Sequence, residues 1–416
     1  MKDFAKNYIK IDEAAEKWSV TPRRVQALCA NGKIKGAIRF GRDWMIPKET
    51  PRPIDGRTKA GRANSDADIP LPRKTPFLYM SDLYKTPGTA DAVAEELAYN
   101  HEAQVLFEAE VAYSRGEIDK VYESANYLLG KHTSFYSVIS GGMLLALCAI
   151  WRGDLDLWRR AKIHIAEAKQ KNSNDQEIIA LAISAVDSML YDVRNFPDWF
   201  KMGCFEPLPK DALPAAKVYY AKYLYTCGYA LATGEIEMPG VTGLALMGML
   251  PFAIEPMISQ TKIDECIVAE AYLRLTCAVT YHHSKNNAQA IRHIDRAIEL
   301  VLPDRLYGLL AEYCRTLGPI LESRIALVDE AASVEVKRLF TTYVDGWTRL
   351  NSKISGRQII SKLSGKYREV ARLAAFKLSD AEIASRTNMS ISGVKQAIKI
   401  IKEKSGLSRD EFAAIL

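Results

Sequence analysis

Residues 21–30 carry hydrogen-bonding side chains at helical spacing. Pro22 suits the first turn of a helix, and Thr21 before it supplies an N-cap oxygen. The apolar positions repeat every three or four residues, so one face of this helix is predicted to pack inward. The remaining face is small at its centre and polar or basic around it, with Thr21, Arg23, Arg24, Gln26 and Ala27. Arginine and amide side chains pair with base edges and phosphates, so this face has the chemistry of a nucleic-acid reader.

Two elements are predicted to position this helix. Before it, apolar residues repeat at i, i+3, i+4 and i+7 from Ile11 to Trp18, which predicts a helix followed by a tight turn at 19–20. After it, two short runs at 34–40 and 44–47 flank a glycine-containing turn and predict a β-hairpin. The basic residues here would meet the phosphate backbone: Lys33, Lys35, Arg39 and Arg42.

These motifs resemble a known class of DNA-binding domain. The sequences YIKIDEAA at 8–15, VTPRRV at 20–25 and WMIP at 44–47 are similar to those of the MerR/excisionase-like winged helix. The resemblance implies a winged helix-turn-helix domain at 1–49 that binds double-stranded DNA through the residues named above. The alternative is a capped helical hairpin with no role on DNA.

A second pattern of this kind occupies residues 351–416. Four helices are predicted, and the third, at 391–404, follows a turn at 388–390. Its buried stripe is predicted to consist of Ile391, Val394, Ile398 and Ile401. The face predicted to point outward carries Ser392, Lys395, Gln396 and Lys399.

The motif LSDAEIA at 378–384, with IS at 391–392 and VK at 394–395, resembles the LuxR-type helix-turn-helix. That resemblance implies DNA binding through the outward face of the third helix. Two positions depart from the family pattern: Gly393 stands where the family has threonine, and Lys377 where it has glycine. The segment is therefore either a DNA-binding domain or a module for dimerisation or docking.

The middle of the chain is predicted to be a helical array over residues 89–350, after a proline-rich basic linker at 50–88. Turns near 116, 153, 194 and 234 are spaced about 40 residues apart, which indicates helical-hairpin repeats. One long helix is predicted at 94–114, and a Gly/Met-rich loop or short helix at 240–251. The array resembles degenerate tetratricopeptide-type repeats. A helical array followed by a C-terminal helix-turn-helix is also a domain order that resembles that of large MalT-like activators.

The charge distribution favours contact with a polyanion at both ends. Residues 1–62 hold 15 Lys and Arg against 7 Asp and Glu, and residues 353–416 hold 13 against 6. The middle is acidic, with 28 basic against 37 acidic residues. Clustered basic charge is the electrostatic footprint of nucleic-acid binding.

Several classes of protein find no support in the sequence. The 7 cysteines are scattered without a C-x-x-C pair, which argues for a reducing compartment and against a zinc site. We find no phosphate-binding loop, zinc-protease motif or nucleophile elbow. The pair His282-His283 is predicted to lie exposed in a turn. No signal peptide and no apolar stretch long enough to span a membrane is recognised.

Five tyrosines crowd one predicted helix: Tyr219, Tyr220, Tyr223, Tyr225 and Tyr229. They are either ordinary packing residues of the repeats or the lining of a groove for a peptide or small-molecule effector.

The sequence therefore predicts a mainly α protein: a helical-hairpin array between an N-terminal winged helix-turn-helix and a C-terminal four-helix helix-turn-helix domain. The expected function is that of a cytoplasmic, homodimeric transcription regulator that binds double-stranded DNA, without cofactor, metal, catalytic site or membrane contact. The alternative is a helical-repeat scaffold for a peptide or protein, with vestigial terminal domains.

Overall fold

The computed structural model describes residues 8–30, 34, 36–40, 43–50, 85–130, 133–170, 174–233, 240–263, 266–355, 363 and 365–415. The chain divides into two compact units, Met1–Ile69 and Pro70–Leu416, each of which is described by itself. It is mainly helical, with a small three-stranded antiparallel sheet near the N-terminus. The prediction of a mainly α fold is confirmed at this level.

The first unit contains two short helices and the sheet. Its elements are β1 (Tyr8–Lys10), α1 (Ile11–Trp18), α2 (Pro22–Ala30), β2 (Ile38–Phe40) and β3 (Asp43–Pro47). The strand order is β1-β3-β2, and both pairings are antiparallel. Helices and sheet share one core, which contains Ala14, Ala15, Trp18, Val25, Cys29 and Ile46.

The sheet differs from the predicted hairpin in two ways. The strand predicted over 34–40 is confined to Ile38–Phe40, and Asp43 belongs to β3 rather than to the turn. A third strand, β1, pairs with β3, so that Ile9 lies opposite Ile46. Strand β1 has only three residues, too few for an alternating apolar pattern to be recognised. It forms a strand because it pairs with β3, which follows both helices in the sequence.

The second unit is built from helices alone among the residues that the structure describes. They are α3 (Ala90–Glu96), α4 (His101–Arg115), α5 (Ile118–Leu128), α6 (Phe135–Arg152), α7 (Leu155–Ala166), α8 (Asp175–Ser188), α9 (Asp198–Lys201), α10 (Leu213–Thr233), α11 (Gly243–Ile263), α12 (Ile267–His283), α13 (Asn287–Val301), α14 (Tyr307–Val328), α15 (Glu330–Ser355), α16 (Gly365–Ala375), α17 (Asp380–Thr387) and α18 (Ile391–Ser405). Short 3-10 turns cover Leu97–Tyr99, Lys210–Ala212, Leu302–Asp304 and Arg409–Ile415.

Two predicted boundaries in this unit are wrong. The helix predicted over 94–114 is broken at Asn100, whose side chain accepts from the Ala103 N–H and begins α4. The loop or short helix predicted at 240–251 is the 21-residue helix α11, which continues through Pro251 and Pro256. Buried side chains at 247, 250, 254 and 258 anchor one face of α11, so packing outweighs the hydrogen bonds that its prolines cannot form.

From α4 to α15 each helix packs against the next along the chain, except at the short α9, where α8 contacts α10 directly. Helix α15 lies against α6, and α14 against α4, so helices α4–α15 form a closed ring. Gly346 of α15 makes the closure possible, because a Cβ atom there would lie 2.1 Å from the Trp151 carbonyl oxygen of α6. The adjacent Trp347 Nε1 donates to the Met189 carbonyl at 2.9 Å.

The C-terminal helices α16–α18 surround a second core that includes Val370, Ile383, Val394, Ile401 and Phe412. Side chains of the ring complete this core: Met247 and Leu244 from α11, and Tyr229 and Ala232 from α10. The C-terminal segment is therefore docked on the ring through α16, rather than held only by the chain before it.

Contrary to the sequence prediction that no apolar stretch is long enough, helix α6 has the length and composition to cross a membrane. It is the one such helix among the described residues, with a mean hydropathy of 1.5, and 83% of it is buried within the protein. Its apolar character is accounted for by its place in the ring, where α5, α7 and α15 cover it.

Candidate nucleic-acid interface

Helices α1 and α2 are joined by a tight turn at Ser19-Val20-Thr21. Ser19 adopts a left-handed conformation with φ 52°, and the Val20 N–H donates to the Ala15 carbonyl at 2.9 Å. The Thr21 carbonyl then accepts from the N–H groups of Arg24 and Val25, which starts α2 at Pro22. These bonds satisfy the Ala15 carbonyl at the end of α1 and the N–H groups of Arg24 and Val25 at the start of α2.

The outer face of α2 carries the polar residues singled out in the sequence. Thr21, Arg23, Gln26, Ala27 and Ala30 are exposed. The inner face packs on α1 and the sheet, with Val25 fully buried and Cys29 only 3% exposed. Arg24 is half-buried at the edge between the two faces. The small Ala27 at the centre leaves the backbone open to approach by a partner.

The β2–β3 pair follows this helix in the same unit. Arg39 is exposed on β2, in register with Trp44 of β3. The other basic residues predicted to meet phosphates here, Lys33, Lys35 and Arg42, lie outside the described residues.

Helices α17 and α18 repeat the same local geometry. The first helix of each pair spans eight residues, and a left-handed residue follows it: Ser19 after α1, and Asn388 with φ 52° after α17. The Met389 N–H donates to the Ala384 carbonyl at 3.1 Å, just as Val20 does to Ala15. Ser390 then caps α18 by accepting from the Gly393 N–H.

The outer face of α18 carries the four polar residues predicted to point outward. Ser392, Lys395, Gln396 and Lys399 are all exposed. The predicted buried stripe is wrong at one position, because Ile391 is 49% exposed. As the first residue of α18 it lies beside the turn, beyond the reach of the core, and Ala397 completes the buried stripe with Val394, Ile398 and Ile401.

The two departures from the LuxR-type pattern have visible consequences. Lys377, where that family has glycine, adopts a left-handed conformation with φ 59°, which disfavours residues with a Cβ atom. Gly393 lies in the first turn of α18, where a Cβ would lie 3.2 Å from Ser390 Oγ. A larger residue at 393 therefore needs only a small shift of that hydroxyl.

The exposed turn predicted for His282-His283 is wrong: the two residues end α12, and His283 is only 4% exposed. The Arg372 guanidinium of α16 donates to His283 Nδ1 at 2.6 Å, and Tyr225 Oη of α10 lies 3.0 Å from Nε2. Because Nδ1 accepts, the ring proton resides on Nε2. The Arg386 guanidinium of α17 donates to the His283 carbonyl at 3.1 Å, so His283 ties the ring to the C-terminal helices.

Burial holds the pKa of His283 well below its usual value, and the charges of Arg372, His282 and Arg386 lower it further. Burial alone would raise the pKa of Glu369, but Arg372 outweighs it and the net shift is downward. Glu369 accepts from the other two guanidinium nitrogens of Arg372, from Nε at 3.0 Å and from Nη2 at 2.5 Å. The sequence pattern did not single out this junction; its one signal was the histidine pair itself.

The protein is expected to become less stable as the pH decreases from about 6.5. Below this pH the histidine is protonated in the unfolded chain, whereas the buried His283 of the folded protein stays neutral. A histidine with a depressed pKa stabilises the fold above its unfolded pKa and loses that contribution as the pH decreases. Denaturation measures the free energy of unfolding at about pH 7 and at about pH 5. Over this range it should decrease by as much as about 2 kcal/mol more in wild type than in His283→Gln. Equal losses in both proteins would contradict this assignment.

One cluster of side chains has the geometry of a metal site within the described part of the chain. Oxygen, sulfur and nitrogen atoms of Glu255, Cys277 and His293 lie within 4.8 Å of one another. These groups also contact each other and Tyr281, whose hydroxyl donates to Glu255 at 2.8 Å. Burial raises the pKa of the Cys277 thiol to about 12, which disfavours the thiolate that a metal requires. The absence of a metal stays a prediction.

The five tyrosines of α10 divide between two roles. Tyr219 is fully buried, and Tyr220 and Tyr223 pack with Phe200 in an aromatic cluster. Tyr229 packs on Phe376 of α16, whereas Tyr225 lines an internal cavity.

Comparison with known proteins finds no match to this chain among protein-family models, curated proteins or solved structures.

Proposed function

We propose that this protein is a sequence-specific, DNA-binding transcription regulator. The observation that carries the proposal is the outer face of α2, where Arg23, Gln26 and Ala27 are exposed next to a tight turn between two helices. Two helices joined by a short turn are the framework of a helix-turn-helix, in which the N-terminal residues of the second helix meet base edges.

The recurrence of this geometry supports the proposal. Both α1–α2 and α17–α18 have a left-handed residue after the first helix, the same backbone bond across the turn, and a polar outer face on the second helix. Both lie in the basic ends of the chain, while the middle is acidic. Lysines and arginines at these ends would anchor phosphates, and Arg23 and Gln26 would read bases.

The two helix pairs would have different tasks. The first unit, with its three-stranded sheet, is taken as a MerR/excisionase-like winged helix and the main DNA reader. The C-terminal pair is taken as a LuxR-type domain, and its outer face is exposed although α16 is docked on the ring. Docking and DNA contact thus use different faces of the C-terminal segment.

The helical ring would be the regulatory part of this cytoplasmic protein, in the manner of the tetratricopeptide-like array of MalT-like activators. It would hold two copies together, so that a homodimer presents two reading heads to a two-fold DNA site. It would also sense an effector. The second candidate function, a scaffold that binds a peptide or protein with vestigial helix-turn-helix domains, predicts no preference for any DNA sequence.

The test compares two variants that remove one positive charge each from the first unit. Arg23→Ala is expected to cost about 1–3 kcal/mol in binding to a selected duplex and to relax its base preference. Lys48 is an exposed lysine after β3, and Lys48→Ala is expected to lower the affinity for selected and for unrelated duplexes equally. Affinities measured by fluorescence anisotropy decide the matter: if Arg23→Ala affects selected and unrelated duplexes equally, α2 reads no bases.

A further inference from the structure

Helices of the ring line a cavity of about 120 Å³ that is partly open to solvent. Seven helices contribute to its wall: α4, α6, α8, α10, α12, α14 and α15. Six of the sixteen residues that line the cavity are aromatic, among them Tyr313, Tyr343 and Trp347. An aromatic cavity with a few polar groups is the usual form of a small-molecule site.

Two of the charged groups in the wall neutralise each other. The carboxylate of Glu312 accepts from the hydroxyls of Tyr113 and Tyr272, and its second oxygen lies 3.6 Å from Lys222 Nζ. The ammonium of Lys222 also lies over the Tyr272 ring, 4.6 Å from its centroid. Burial lowers the pKa of Lys222, against the opposing charge of Glu312. This pair leaves little net charge for a ligand to meet.

The third charged group, Arg315 of α14, is different. Its guanidinium lies 4.1 Å from the centroid of the Trp347 ring and 5.5 Å from that of Tyr191, both of which line the cavity. Within the described part of the chain the contacts of the Arg315 side chain are these two rings, and neither an ion pair nor a hydrogen bond of its guanidinium is found there. A half-buried guanidinium held on an aromatic face, with its donors unused, is ready to bind an anion.

We infer that this cavity binds a small organic carboxylate whose body is a single ring. The positive charge of Arg315 disfavours cations, and its planar fork matches a carboxylate. The aromatic wall provides stacking for a ring. A cavity of about 150 Å³ in another protein accommodates benzene, so the space here fits a ligand with one ring.

The site also has a direct path to the C-terminal helices. Tyr225 lines the cavity and contacts His283, which accepts from Arg372 of α16. A ligand that moves Tyr225 would therefore change the contacts by which the C-terminal segment is docked. In this respect the inference deepens the proposed function, since it rests on the ring being the sensor of a regulator.

Binding is tested on the full chain by calorimetry without DNA, so that its failure is distinguishable from a failure to bind DNA. The probes are benzoate and its neutral isostere benzamide. Benzoate is expected to bind with one site per chain, and benzamide about tenfold or more weakly, because it lacks the charge that Arg315 recognises. Equal affinity for both probes, or no heat from benzoate at millimolar concentration, would overturn the inference.

A pair of variants on helix α14 locates the site. Arg315→Gln should lower the affinity for benzoate about tenfold to a hundredfold and leave the affinity for benzamide unchanged. Arg324→Gln removes the same charge beyond the kink at Gly318 in α14, where Arg324 pairs with Asp295, and should leave both affinities unchanged. Circular dichroism confirms that both variants fold. If Arg324→Gln weakens benzoate as much as Arg315→Gln does, the ligand is attracted by overall charge and the cavity is not its site.

Discussion

Replacing Gly346 with alanine is expected to destabilise the helical ring by about 3 kcal/mol or more, because the added methyl group has no room. Its Cβ would lie 2.1 Å from the Trp151 carbonyl oxygen and 2.4 Å from that of Ile150, and backbone atoms cannot move aside as a side chain can. Helix α15 would have to separate from α6. Urea denaturation followed by circular dichroism measures the loss.

Gly248 of α11 provides the matched control. It also lies within a helix, but a Cβ at this position would meet nothing within 4 Å. Gly248→Ala is therefore expected to stabilise the protein by as much as about 1 kcal/mol, since alanine favours helix and glycine does not. Should both substitutions change the free energy of unfolding in the same direction, the close approach of α15 to α6 is not a feature of the protein.

Replacing Arg372 with methionine is expected to cost about 3 kcal/mol and to loosen α16–α18 from the ring. Arg372 is 8% exposed and joins Glu369 to His283, so its removal leaves both without the partner that compensates for their burial. Lysine should not restore stability, because it lacks the planar fork that serves two acceptors.

The control is an arginine with the same spacing to its partner. Arg338 pairs with Glu335 three residues earlier, but these side chains are 64% and 40% exposed. Arg338→Met should cost less than about 1 kcal/mol, because water screens an exposed pair. Hydrogen exchange then distinguishes the regions: amides of α16–α18 should exchange faster in Arg372→Met than in wild type. Unchanged exchange there would mean that the junction does not hold the C-terminal helices.

The sequence predicts well where local rules decide the structure. Helix α2 begins at Pro22, its inner face follows the spacing of Val25 and Cys29, and α18 begins at Ile391 after the predicted turn at 388–390. The turns at Gly116 and Gly153 end helices because glycine adopts the left-handed conformation without strain. All these features depend on residues within a few positions of each other.

The features that periodicity misses depend on distant partners. Gly346 and Trp151 are far apart in the chain, so nothing local predicts that α15 closes the ring against α6. The burial of His283 depends on Arg372, which lies on another helix. The cavity combines Lys222, Glu312 and Arg315 from two helices, and each looks in the sequence like an ordinary solvated charge.

The central claim is that α2 reads DNA sequence, and selection of bound fragments from a random duplex pool by the intact protein tests it most directly. The account predicts that recovered fragments share a sequence, that added salt weakens their binding steeply, and that Arg23→Ala no longer enriches them. Recovery of fragments without any shared sequence, equally by wild type and Arg23→Ala, would contradict it.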